Sequence, residues 1–345
     1  MKTKSIRLSA LILLLMATGF TCSSQDLKTA GGYFSRITSV FEPIQRDMWD
    51  YTKAVAHNKS AKKVESRRKE LISSINKGIG TIKRLKDFEG DASLRDSTLS
   101  FLDVSKAVIE QNYSKIMEME EIAEQSYDYM EAYIMAQQKA NEIMKQSGEN
   151  IDAAQKTFAG NHNINLMESE DKISKKLEQA SRVYQYYNKV YLIFFKSYKQ
   201  EMYLLEATKK GDVNGMEQNK NSLLKFATEG LESLKEIKSF DGDGSIKIAC
   251  QQILAFYKEE AEKKYQDIID FQLKKDNFEK EKTAMESRPQ KERTQAMVDS
   301  YNKAVNEFNN AVKRVNQRNE ELNNSRSKLL NNWNSSADSF TRSHV

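Results

Sequence analysis

Residues 51–117 and 203–269 align without a gap when the chain is slid along itself by 152 positions. Internal self-similarity at a fixed offset restricts a chain to architectures in which one unit is built twice. Tyr51 meets Tyr203, Leu71 meets Leu223, Gly78 meets Gly230, Leu102 meets Leu254 and Tyr113 meets Tyr265. Apolar character is kept at Val64/Met216, Ile72/Leu224, Ile79/Leu231, Ile82/Leu234, Leu85/Ile237 and Ile116/Ile268. The turn residues align too: Phe88-Glu-Gly-Asp-Ala-Ser93 falls on Phe240-Asp-Gly-Asp-Gly-Ser245. Shared helical composition can generate matched apolar pairs, but it does not align turns.

Those turns delimit helices. Ser60 and Asp212 occupy one repeat position, after a short polar stretch and before a run of helical spacing. Both side chains can accept from the free N–H groups of a first helical turn. Gly90 and Gly242 suit a left-handed residue at a helix end, and Asp91/Asp243 or Ser93/Ser245 can cap the next helix. The resulting expectation is helices over 28–57, 61–87, 93–146, 167–210, 213–239, 245–286 and 291–337. Ser147–Asn165 forms the connection between repeats, Pro43 sits inside the first helix and kinks it or starts a new turn, and Pro289 marks the turn before the last helix. Only 13 glycines and 2 prolines in 345 residues, with 30% charged residues, agree with long helices. No stretch alternates β-branched residues between turn signals, so no strands are expected. The fold class predicted is all-α: an elongated antiparallel helical bundle with long helices and two tandem repeats of about 152 residues. A signal peptide takes 1–24, the first repeat 25–160 and the second 161–345, which carries a coiled-coil-like C-terminal helix.

Two segments stand out within that frame. Tyr301, Val305, Phe308, Val312, Val315, Asn319, Leu322, Arg326, Leu329 and Trp333 follow a 4,3 spacing throughout, which is a packing seam of coiled-coil type. Asn319 and Arg326 dilute it, either as register-setting residues or where the helix leaves its neighbours. Residues 183–195 (Val183, Tyr184, Tyr186, Tyr187 and Val190–Phe195) are apolar nearly all round, as in a helix buried on every side. A membrane-inserting tongue is the other reading. However, the unbroken apolar run Val190–Phe195 lies between Lys189 and Lys196, far short of the ~20 residues a helical span needs.

The N-terminus reads as a targeting segment. Lys2, Lys4 and Arg7 precede an apolar stretch, Leu8–Met16, too short to span a bilayer, and small residues follow around Thr21–Ser24. Cleavage after Ser24 leaves Gln25 first. Cys22 offers lipidation as a second outcome, although Gly19, Phe20 and Thr21 depart from the usual residues before a lipidated Cys. Removing Lys2, Lys4 and Arg7 from 54 basic residues leaves 51 against 49 acidic ones. That balance, interleaved along the chain, argues against a nucleic-acid partner. Cys250, the other cysteine, sits in a helical pattern and reads as a buried thiol, so no intrachain disulfide braces the mature chain.

The usual chemical constellations are missing from the sequence. His57, His162 and His344 have no carboxylate at helical metal-ligand spacing, unlike the di-iron bundles. Glu118, Glu120, Glu121 and Glu124 read as a solvated acidic face. Asp241-Gly-Asp243-Gly-Ser245 begins like a calcium loop, but the sixth and twelfth places hold Ile246 and Gln252 instead of Gly and Glu. No phosphate loop, Gly-x-Ser-x-Gly or Cys-x-x-Cys occurs. The expectation is therefore no catalytic, cofactor-binding or metal-binding residues and no cofactor, with Cys22 as the single modification candidate.

The layout, a signal peptide followed by about 300 residues of Lys/Glu/Tyr-rich helices, resembles exported helical surface proteins of Bacteroidota and spirochaetes. That resemblance implies an envelope location and carries no catalytic residue across. The function expected is a non-enzymatic exported envelope or surface protein, periplasmic, surface-borne or secreted. It would act as a helical spacer or binding module for a protein or envelope partner and touch the membrane only through a lipid at Cys22. The alternative is a helical pore-forming or membrane-active protein.

Overall fold

The computed structural model describes residues 27–57, 60–112, 119, 122–166 and 172–345. The signal segment, Cys22, Tyr113, Ile116 and the acids Glu118, Glu120 and Glu121 lie outside the described residues. Among these residues the regular structure is helical: α1 Ala30–Thr38, α2 Phe41–Ala56, α3 Ala61–Lys83, α4 Ser93–Ala107, α5 Tyr127–Asn161, α6 Lys172–Lys210, α7 Val213–Glu236, α8 Ser245–Glu259, α9 Gln266–Glu286 and α10 Gln295–His344. The helices pack into two compact units. The first comprises the described residues up to Asn188 with Ser339–Val345; the second is Lys189–Asp338. The division falls inside α6. Residue 161, where the repeats were expected to meet, ends α5.

In the first unit α2 packs on α3, α3 on α4 and α4 on α5. Asp47 accepts from the Ser74 hydroxyl at 2.5 Å, and Asp50 lies 3.6 Å from Arg67. Numbers rising along α2 thus meet numbers falling along α3, so the two helices are antiparallel. In the second unit Gln200 of α6 bonds Asn219 of α7 at 2.7 Å, and Lys196 reaches Glu229, again antiparallel. α9 and α10 form a hairpin on aromatic contacts: Phe278 stacks on Phe308 with ring centres 4.9 Å apart, and Phe271 lies 5.9 Å from Phe308.

The same local devices begin the helices at offsets of 152. Ser60 accepts from the Lys63 amide at 3.4 Å and Asp212 from the Gly215 amide at 3.0 Å. The Phe88–Asp91 and Phe240–Asp243 turns each close with a pair of backbone bonds of 3.0 and 2.8 Å. Their central residues have positive φ, 52° and 88° in one turn and 46° and 89° in the other. A tight hairpin turn requires this at both positions, and Gly supplies the second without strain. Gly90 and Gly242 therefore serve the turn, not the helix end, because α3 stops at Lys83 and α7 at Glu236. Asp91 and Asp243 then accept from the Ser93 and Ser245 amides at 2.8 and 2.7 Å. That bond employs Asp243 in starting a helix. Arg95 reaches the Leu85 carbonyl, and Lys247 the Ile237 carbonyl, across the same turn.

Several expected boundaries move: the helices expected to end at 87, 239 and 337 end at Lys83, Glu236 and His344, the last begins at Gln295, and that over 245–286 is interrupted at Glu260–Lys264. The first helix breaks at Ser39–Val40, ahead of Pro43, which lies in the first turn of α2, where its missing N–H forfeits no helical bond. The expected connection Ser147–Asn165 is instead mostly helix. Met144, Gly148, Ile151, Gln155 and Phe158 form one buried line of α5, and that burial outweighs the ~1 kcal/mol propensity cost of Gly148. The chain turns earlier, at Ser126, whose hydroxyl accepts from the Tyr129 amide at 3.2 Å. The expected 93–146 helix thus stops at Ala107. There a π-turn, Val108–Asn112, follows α4, and Glu260–Lys264 follows α8 in the same way.

The apolar residues of 183–195 are used in packing. Val183 and Val190 are fully buried, Tyr187, Tyr191, Phe194 and Phe195 nearly so, and Phe194 stacks on Trp333 at 4.2 Å. Tyr184, Tyr186, Leu192 and Ile193 are half-buried, so the helix keeps a partly open side. Along α10 the buried line runs through Ala304, Ala311, Val315, Leu322 and Trp333, while Tyr301, Val305, Phe308 and Val312 are half-buried beside it. No described helix is long and apolar enough to cross a membrane.

Candidate functional site: a buried glutamate pair on one arginine

Arg326, a residue that interrupts the apolar seam of α10, is the centre of a charge cluster in which both acids are fully buried and the arginine is largely so. Its Nε donates to Glu201 on α6, and its Nη2 donates to Glu260 in the π-turn at 2.5 Å. Nη1 donates to Asn323 Oδ1 at 2.6 Å. Glu201 and Glu260 are both wholly inaccessible to solvent. The guanidinium lies 5.9 Å from the Phe256 ring, and Tyr257 is fully buried against the two acids.

Sequence and local structure explain the placement. Leu204 and Thr208 continue the inward line of α6 from Glu201. Ile253, Leu254 and Tyr257 bring the inward line of α8 to Glu260. The π-turn starts at that residue: the Tyr265 amide reaches back five residues to the Glu260 carbonyl at 2.8 Å. One extra residue in the turn rotates the following helix face, and such bulges concentrate where a side chain must be re-aimed. Tyr265 is also fully buried; its hydroxyl pairs with Thr208 and donates to the Leu204 carbonyl at 3.5 Å.

Around this core the charges are paired at the rim. Lys264 binds Glu259 at 3.1 Å and Glu321 at 2.7 Å; Arg318 binds Asp267 at 2.9 Å and Glu321 at 2.6 Å. Exposed pairs of this kind add little stability. The buried acids differ. Burial, and then the neighbouring Glu201 carboxylate, push the Glu260 carboxyl up to about 9, against the opposing pull of Arg326. Burial and the same acids push the Tyr257 phenol well above its ordinary range.

The positions 152 residues earlier carry no such cluster. Offsets of 152 from Glu201, Glu260 and Arg326 fall on Trp49, Val108 and Ser174. Lys176 lies over the Trp49 ring at 5.4 Å, Val108 is buried in its π-turn, and Ser174 accepts from Gln45 at 3.1 Å. The π-turn Val108–Asn112 thus forms without such a cluster.

Other candidates are simpler. His162 sits between Phe158 and Phe88, 3.5 Å from Asp91, at the end of α5. Hydrogen bonds from Ser93, and then His162, hold the Asp91 carboxyl below its usual value. His57 caps α2 by its backbone, and His344 lies 4.9 Å from Phe340. Cys250 is fully buried, and burial pushes its thiol up. Among the described residues no group of three or more His, Cys, Asp or Glu could hold a metal ion. An open groove of about 650 Å³ runs along α3 between Lys69 and Arg84, lined by that helix alone.

Arg326 was visible in the sequence as a break in the seam; Glu201 and Glu260 were not singled out. Their signal was available: each is an acid at an inward position of a helical line that is mostly apolar, which calls for a buried cation. No protein-family model matches the chain, and no curated protein or solved structure matches it.

Proposed function

We propose that this chain is a non-enzymatic exported protein of the cell envelope or surface, a helical spacer or binding module built from a duplicated unit of about 152 residues. The observation that carries the duplication is local. Caps, positive-φ turns, hydrogen bonds from a Ser amide to an Asp carboxylate, and π-turns recur at one offset, including Val108–Asn112 against Glu260–Lys264. The export reading rests on Lys2, Lys4, Arg7 and the Leu8–Met16 run. The module reading is supported by the use of helix surface for packing. Phe194, Phe195 and Tyr191, which a membrane-active tongue would need free, are buried in the second unit.

Three measurements test this. Intact mass of protein from its native host should show loss of residues 1–24, or of 1–21 with a lipid on Cys22; a mature chain that retains Met1–Arg7 sinks the export reading. Dye-loaded vesicles should stay sealed at neutral pH, and leakage would favour the pore-forming alternative. Exchanging the hexapeptides 88–93 and 240–245 should move the melting temperature by no more than about 3 °C, a change of ~1 kcal/mol. Failure of the exchanged chain to fold would count against a duplicated unit.

A further inference from the structure

The guanidinium edge formed by Nε and Nη2 ordinarily takes both oxygens of one carboxylate. In the second unit it takes one oxygen from each of two. Glu201 and Glu260 therefore lie side by side, and their second oxygens, Oε2 in both cases, have no hydrogen bond of acceptable geometry although both residues are fully buried. Two ionised carboxylates on one guanidinium would also leave a buried negative charge without a counter-ion, an arrangement that costs several kcal/mol. A single proton removes both difficulties: a carboxylic acid on one residue donates to the carboxylate of the other, and the three side chains become electroneutral.

We propose that Glu201 and Glu260 share one proton, and that this proton is a lock holding α10 to α6 and the π-turn of the second unit. The groups facing the pair come from every element around it. α6 presents Tyr198 beside Glu201, α8 presents Tyr257, the π-turn is followed by Tyr265, and α10 brings Arg326 with Asn323. On α7, which packs on the π-turn, Lys220 pairs with Glu217 at 2.6 Å and Gln266 at 3.2 Å. At the rim Lys264 and Arg318 pair with Glu259, Glu321 and Asp267, one acid more than the bases. His57, His162 and His344 all lie outside Lys189–Asp338, so no imidazole titrates in this unit. Burial holds the Tyr257 and Tyr265 phenols above the range concerned. A proton lost between the ordinary carboxylate range and about pH 9 is thus lost by the pair.

The folded unit keeps this proton over a range in which the unfolded chain has already released it. Stability is accordingly highest on the acid side. It falls as pH rises from the ordinary carboxylate value of 4.5 toward about 9, where the folded pair also deprotonates. Deprotonation returns the unmatched buried charge, and Arg326 can no longer satisfy both acids.

The test uses the full chain carrying Trp49→Phe, so that Trp333, buried and stacked on Phe194, alone reports the second unit. Urea unfolding between pH 6 and 8.5 should show the folded-to-unfolded ratio falling by up to about tenfold per pH unit, the limit for one proton. Glu260→Gln keeps the shape and the donor to Glu201 but cannot ionise, so it should flatten that slope. Infrared spectra of the parent at pH 7.5 should contain the C=O stretch of an un-ionised carboxylic acid, absent in Glu260→Gln. The infrared measurement on the parent needs no variant to fold. Equal slopes in the two proteins, or a parent spectrum without that band, would overturn the proposal.

Discussion

Gly78 and Gly230 lie 152 residues apart, and replacing each with Ala should have different effects. Both lie inside helices, α3 and α7, where Gly is about 1 kcal/mol worse than Ala. Both are buried. A Cβ on Gly78 would stand 3.4 Å from Ile44 Cδ1, 3.5 Å from Leu102 Cδ1 and 3.7 Å from Val40 Cβ, which is ordinary contact. The methyl fills available space, so the propensity gain is realised and Gly78→Ala should stabilise by about 1 kcal/mol. A Cβ on Gly230 would stand 3.0 Å from both Ile193 Cγ2 and Leu254 Cδ1. Carbon pairs prefer about 3.5–4.0 Å, so each contact is at least half an ångström too close. Ile193 is half-buried and can yield, but Leu254 is fully buried and has nowhere to go. Overpacking of this sort costs about 1–3 kcal/mol, which cancels or exceeds the propensity gain. The two variants should therefore differ by about 1–3 kcal/mol. Urea denaturation followed by far-ultraviolet circular dichroism measures both. If Gly230→Ala proves as stabilising as Gly78→Ala, the approach of α7 to α6 and α8 does not depend on a missing side chain, and the packing argument fails.

Two further outcomes follow from the cores of the two units. Arg326→Met strands two buried acids and should cost about 3–5 kcal/mol at neutral pH, whereas Glu201→Gln, Glu260→Gln and Arg326→Met together should recover most of that loss; a triple variant no more stable than the single one would refute this. Phe88→Ala removes a buried ring from between Tyr33, Phe158 and His162, whose ring centres lie 5.4, 6.0 and 5.1 Å away. It should cost about 3–4 kcal/mol by thermal unfolding, and a loss below about 1 kcal/mol would show that the Phe88 turn is not anchored by that cluster.

Much of this architecture is written in short stretches of sequence. Ser60 and Asp212 announce α3 and α7 because a cap bond spans three residues. The Phe88–Asp91 and Phe240–Asp243 turns are legible because two successive positive-φ positions call for Gly at one of them. The 152-residue register of these devices is likewise a property of the sequence alone. Gly148 misled because propensity is a weak local preference, and whether a glycine ends a helix depends on what its neighbours bury. Met144, Ile151 and Phe158 decided it only by finding a core. Pro43 was placed correctly as a disturbance, but its position within the first turn of α2 came from where the chain breaks at Ser39. The glutamate cluster lies furthest from sequence reasoning. Arg326 meets Glu260 across 66 residues and Glu201 across 125. Its register on α10 depends on which helix face turns inward, and the inward face holds Ala304 and Ala311 where the apolar spacing suggested Tyr301, Val305 and Phe308. Periodicity tells which side chains share a face. How that face is rotated against three neighbours, and so which acids an inward arginine meets, is set by packing, because only the assembled core determines which rotation buries charge with its partners and leaves no void.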